Sequence, residues 1–217
     1  MEQGIDKHVD LQGSSAMRLL KLFVENGAYV VIADILDEPG TMLADSIGAC
    51  YIHCDVPKES NAESAIQLAI TWKGKLDILF SNAGIGGIAR SITSLDMEQV
   101  KHLILINLLG KVHAIKHAAR AMLRCSTKGS IICKSSSTGI IGGLASHPYS
   151  LSKPVKTLVG EEGILLRGKA ATVEDVAQTA VFLASDDNGF ITAHDLVIDG
   201  GYTSAISSEF HLQVVKN

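Results

Sequence analysis

"AYVVIAD", residues 28–34, decides the fold. It is apolar until Asp34 closes it. A strand with one face in water alternates apolar and polar residues, whereas a strand covered on both faces reads as a continuous apolar run. The run therefore belongs inside a parallel sheet with helices on either side. The flanks agree. "SSAMRLLKLFVEN" (14–26) has helical periodicity and is stopped by Gly27. Residues 40–47 read as a helix, "ACYIHCDV" (49–56) as a second strand and 59–73 as a helix. "LDILFSNAG" (76–84) reads as a third strand running into a glycine turn. A long helical pattern covers 96–124. "GSIICKSSS" (129–137) is the next strand, opening into small residues. "TVEDVAQTAVFLASD" (172–186) is a helix with Thr172 as N-cap and acids in its first turn, and "HDLVIDGG" (194–201) is the last strand. Strands alternating with helices predict one α/β domain over residues 1–217, a doubly wound parallel sheet in three layers.

With 217 residues, 47% of them hydrophobic, the chain is long enough for a sizeable core. Only 5% are aromatic, so aliphatic side chains must fill it. A formal net charge of −4 argues against nucleic-acid or anionic-membrane partners. No apolar run approaches the roughly 20 residues of a membrane span, and "MEQGIDKHVDLQ" lacks the apolar centre of a secretory signal. Cys50, Cys54, Cys125 and Cys133 form no CxxC pair and read as free thiols of a cytoplasmic protein. His113 and His117 stand four apart, a metal-ligand spacing, but without an HExxH glutamate or a third ligand nearby. They read as a solvated or interface face, and no metal is expected.

Four groups of residues carry chemistry. Asp34 ends a strand, where an acid bonds the ribose hydroxyls of a dinucleotide. The following "ILDEPG" offers no cation to a 2′-phosphate, which favours NAD over NADP. Asn82, Ala83 and Gly84 let a cofactor approach the backbone at a strand end. Ser135, Ser136 and Ser137 end another strand, where a hydroxyl can donate to a substrate oxygen. Tyr149 and Lys153 stand four apart, one helical turn on one face. A free phenol ionises near about pH 10. A neighbouring ammonium favours the phenolate, which can then exchange a proton with an alcohol or carbonyl oxygen.

Taken in order, these residues resemble the short-chain dehydrogenase/reductase family of NAD(P)-dependent Rossmann-fold oxidoreductases. The stretches "LFVENGAYVVIADI", "CDV", "LDILFSNAG", "INLLG", "YSLSK", "VEDVAQTAVFLASDD" and "IDGGYT" are similar to its plant branch of secoisolariciresinol and isopiperitenol dehydrogenases. The resemblance implies Tyr149 as acid/base, with Lys153 favouring its phenolate and bonding the nicotinamide ribose. It implies Ser136 as the residue that orients substrate, with Ser135 as the alternative. It implies Asn107 at a helix kink of the proton relay. Asp34 is implied for the adenosine ribose, Asp55 and Val56 for the adenine edge, and Asn82 to Gly84 for the cofactor backbone. The implied substrate is a small apolar secondary alcohol or ketone, terpenoid or phenolic. The implied assembly is a homo-oligomer, a tetramer by family analogy.

Two expected pieces are missing. The family's first strand and its TGxxxGIG turn should fall on residues up to 16, yet "VDLQGSSA" (9–16) has only Gly13 and "MEQGIDKHV" has no apolar run. That strand is central in the family, so its loss should split the sheet and expose edges. After Lys153, Pro154 stops the helix, and "PVKTLVGEEGILLRGKA" leads straight to Thr172, omitting a strand and the start of the substrate lid. Residues 1–13 and 154–167 are thus atypical, and the chain reads as a shortened gene product. Lys134 stands where the branch has a small residue, and its ammonium either disturbs the site or points away. Two expectations follow: an NAD-dependent alcohol dehydrogenase, or a non-catalytic member of the same family.

Overall fold

A computed structural model describes residues 14–87, 91–136, 146–152, 172–189, 191 and 194–199. Helix α1 (Ser14–Glu25) stops at Gly27, whose φ of 85° places it in the left-handed region that glycine tolerates. Strand β1 (Val31–Asp34) follows, then α2 (Asp37–Ile47), β2 (Cys50–His53), α3 (Glu59–Lys73) and β3 (Ile78–Ser81). Helix α2 starts three residues before the expected position because Pro39 falls in its first turn, where a missing N–H costs no helical bond. The long helical pattern is α4 (Met97–Ile104), one π-helical turn (Leu105–Leu109) and α5 (Gly110–Arg124). Strand β4 (Ser130–Cys133), the short α6 (His147–Ser152) and α7 (Val173–Ala184) complete the set. Thr172 caps α7 with a full capping box, its hydroxyl accepting from Asp175 N–H while the Asp175 carboxylate accepts from Thr172 N–H.

Successive side chains of a strand point to opposite faces, and β3 shows what covers each. Ile78 and Phe80 pack with Leu19, Leu22 and Phe23 of α1 and Ala177 and Ala180 of α7. Leu79 packs on the other side with Ile66 of α3 and Ala118, Ala121 and Met122 of α5. The expected three layers are therefore present. A third cluster seats Leu43 and Ala44 of α2 on Ile32 of β1. Arg18 ties α1 to α7, with its Nε 2.6 Å and a terminal nitrogen 3.2 Å from the Glu174 carboxylate.

Both strand pairings are parallel. Val31 faces Cys50 and Asp34 faces His53 in one; Ile78 faces Ser130 and Ser81 faces Cys133 in the other. Among the described residues these two pairs are not laddered to each other, and no strand lies between them. This is the split that loss of a central strand predicts, and Ala33 in the middle of β1 is exposed. One expectation fails. Residues 194–199 form no ladder, and Leu196 and Val197 are exposed. The run is strand-like, but a strand is made by its neighbour, and the described residues provide none beside it. No helix among the described residues is long and apolar enough to cross a membrane.

Candidate active site

Each strand delivers its chemistry at its carboxyl end. Asp34 closes β1 and turns its carboxylate back to accept from Leu36 N–H at 2.9 Å. Beyond it Asp37 opens α2, with Tyr51 Oη and His53 Nδ1 each 2.8 Å from its Oδ1. These two partners, His53 first, hold the Asp37 carboxyl below its ordinary value. Tyr51 Oη also lies 2.8 Å from the Asp34 carbonyl, so both acids line one corner. After β2, Asp55 N–H donates to Asn61 Oδ1 at 3.0 Å, and its carboxylate lies 3.2 Å from Lys58. The Val56 side chain packs against Gly110, where a Cβ would collide with it. Its carbonyl lies 3.0 Å from His113 Nδ1.

The β3 end is the most connected. Asn107, fully buried in the π turn, accepts from Ile85 N–H at 2.8 Å and donates to Ile85 C=O at 3.1 Å and to Ser152 Oγ at 3.0 Å. Ser152 in turn donates to the Tyr149 carbonyl at 2.8 Å. A single buried amide thus ties the Asn82–Gly87 loop to the helix that carries Tyr149. π turns recur where a helix must aim one side chain off its regular register, and Asn107 is that side chain. Gly87 completes the contact: a Cβ there would strike Ser146 Oγ and Tyr149 Cβ, so the loop reaches α6 only because the residue is glycine. Ser136 is buried and Ser135 half-buried past the end of β4. Lys153 lies outside the described residues.

Two contributors escaped the sequence reading. Ser152 is one; its signal was its place three residues after Tyr149, within reach of that carbonyl. The other is Lys111, whose half-buried ammonium donates to Lys134 C=O at 2.9 Å and approaches Ala83 C=O at 3.4 Å, stapling the ends of β3 and β4. Burial pushes its basicity down. His117 belongs elsewhere. Its Nε2 lies 2.9 Å from Glu59, which Lys116 also approaches at 2.6 Å. Lys116 first, then His117, hold the Glu59 carboxyl down to about 2.

The carboxyl ends of parallel strands are where open α/β sheets take ligands. Here they gather an acid corner, a buried Gly84, a Gly86 with open space where a Cβ would stand, a buried serine and a helix-borne tyrosine. Those groups fit a nicotinamide dinucleotide: hydroxyl acceptors at one end and proton-transfer groups at the other. The profile of the short chain dehydrogenase family matches residues 16–158. The chain belongs to that family. A second profile, enoyl-(acyl carrier protein) reductase, matches residues 160–203. Short-chain dehydrogenase reductase ATA1 of Arabidopsis thaliana is 43% identical, over 87% of this chain and 88% of its own. The mitochondrial borneol dehydrogenase of Lavandula x intermedia is 34% identical, over 87% and 85%. A crystal structure of a short-chain type dehydrogenase/reductase from Mycobacterium marinum superposes with a TM-score of 0.80 at 25% identity, covering 88% of this chain and 92% of that one.

The chain is thus a Rossmann-fold oxidoreductase by family. The alignment with ATA1 runs over 239 positions, more than this whole 217-residue chain, though only 87% of the chain takes part. Several tens of the relative's residues therefore face none here, inside the matched region.

Proposed function

We propose that the chain is an NAD-dependent oxidoreductase interconverting a secondary alcohol and a ketone on a small apolar substrate. The observation that carries this is the chain of bonds from the Asn82–Gly87 loop through Asn107 and Ser152 to Tyr149. It holds the helix that carries Tyr149 against that loop, which supports Tyr149 as the acid/base beside a bound cofactor. Bound NAD supplies the acceptor or donor of hydride. In the oxidation direction, Tyr149 takes the hydroxyl proton as the carbonyl forms; in reduction it returns it. Ser136 donates to the same oxygen, and Lys153 favours the tyrosinate. Asp34 and Asp37 accept from ribose hydroxyls and repel a 2′-phosphate, which supports NAD over NADP. The name of the borneol-oxidising relative supports a terpenoid alcohol, and phenolic alcohols share its size and polarity. Exposed Leu105, Leu109, Val112 and Leu123 along the long helix support a homo-oligomer, a tetramer by family analogy. A single cytoplasmic domain over 1–217 completes the reading.

The test is NAD reduction with bicyclic and monocyclic monoterpenoid alcohols, wild type against Tyr149→Phe. Turnover that Tyr149→Phe abolishes is expected; undiminished turnover in the variant would remove Tyr149 from its role. The two strand pairs left unladdered among the described residues favour one second reading, a family member that keeps the site's outline without turnover. It predicts no NADH formation by either protein.

A further inference from the structure

The long helix grips the candidate site twice. Asn107 and Lys111 stand four residues apart, about one helical turn. Asn107 holds the Asn82–Gly87 loop at Ile85 and, through Ser152, the helix of Tyr149. Lys111 holds the same loop two residues earlier, its ammonium 3.4 Å from Ala83 C=O, and reaches across to Lys134 C=O at 2.9 Å. Where that second contact falls gives it meaning. The ladder between β3 and β4 runs up to Lys134 N–H, which donates to Ser81 C=O at 3.0 Å. In a parallel pair the next rung is Ala83 N–H donating to Lys134 C=O. Among the described residues that rung is not made, and the Lys111 ammonium donates to Lys134 C=O in its place. A carbonyl oxygen shares a rigid plane with the N–H of the next residue. Holding Lys134 C=O therefore orients the peptide that leads into Ser135, and holding Ala83 C=O orients the one that leads into Gly84. A half-buried ammonium costs free energy to desolvate, and here two carbonyls meet it. Methionine would fill the same space without that cost, so packing alone does not ask for lysine.

We propose that Lys111 is a positioning residue for the reaction: it fixes the strand end that presents Ser135 and Ser136 against the loop beside the cofactor. This rests on the reaction proposed above. Asn107 aligns the Tyr149 helix with the loop, and Lys111 aligns the serines with the same loop. The two hydroxyl groups thereby converge on one substrate oxygen. Orientation is what Lys111 supplies, so its loss should lower rate more than cofactor affinity.

The test uses the full chain as wild type, Lys111→Met and Lys111→Ala. It measures NAD reduction with monoterpenoid alcohols, ADP-ribose affinity by calorimetry, and folding by circular dichroism. In both variants kcat should fall about ten- to a hundredfold, the scale of a small misplacement of reacting groups. ADP-ribose affinity should stay within about threefold, because Asp34 stands on the other strand pair. The space vacated in Lys111→Ala has the size of n-propylammonium. That cation should raise kcat of Lys111→Ala about fivefold or more, the worth of one recovered hydrogen bond. Tetramethylammonium, which has the charge without N–H donors, should not. An unchanged kcat in Lys111→Met with an active wild type overturns the role of Lys111 and leaves the reaction standing. Parallel falls in kcat and ADP-ribose affinity, or failure of both variants to fold, overturn it by marking a residue of the fold alone. Rescue by neither cation, or equally by both, overturns it too. A wild type that turns over none of the alcohols overturns the proposed reaction and this inference together.

Discussion

Replacing Asn107 with alanine removes three hydrogen bonds at one stroke. Ser152 keeps its bond to the Tyr149 carbonyl, so its hydroxyl is not orphaned. Ile85 loses the partners of both its N–H and its C=O. A buried backbone group left unmet costs roughly 1–3 kcal/mol. Ile85 is half-buried, so water recovers part of this, and the two groups together come to about 3 kcal/mol. The void left by the amide, at a site with 0% exposure, adds to it. Against a total stability of ~5–15 kcal/mol, this is a large share. Urea unfolding followed by the emission of the lone tryptophan, Trp72, measures it. Ser152→Ala, which loses two hydrogen bonds but leaves Ile85 satisfied, should cost less, about 1–2 kcal/mol. If Asn107→Ala lay within about 1 kcal/mol of wild type, or matched Ser152→Ala, the buried amide would not be the tie between the loop and the Tyr149 helix.

Other consequences follow from the same geometry. Gly87→Ala should push the loop off α6, costing about 1–3 kcal/mol by overpacking and lowering turnover more than cofactor affinity; urea unfolding and steady-state kinetics read the two effects. Glu59 has a depressed folded value, so its contribution to stability is full above the ordinary glutamate range near 4.5. It is lost as pH falls toward about 2. Melting temperature against pH should therefore drop across that window in wild type, and drop less in Glu59→Gln. Asp34→Asn combined with Asp37→Asn should narrow the gap between NAD and NADP affinity by about tenfold, read by calorimetry.

The uninterrupted apolar run ending at Asp34 announced a parallel strand, though Ala33 within it is exposed rather than covered. Gly27, Thr172 and the 59–73 periodicity marked their helices because each signal is local. The absence of a strand between the two pairs among the described residues agrees with the lack of an apolar run in "MEQGIDKHV". Residues 194–199 have a strand's composition but no neighbouring strand among the described residues, and ladders are not local. Asn107 was picked out by its motif, but its three bonds to Ile85 and Ser152 were not. They join residues 22 and 45 positions apart through a π turn that no periodicity announces.

The central claim is that the chain keeps the dinucleotide site of its family. Calorimetric titration of the full chain with NAD tests it most directly. The account predicts saturable binding with a dissociation constant on the order of micromolar, and NADP at least about tenfold weaker. An NAD titration indistinguishable from buffer, with the protein folded, would contradict it.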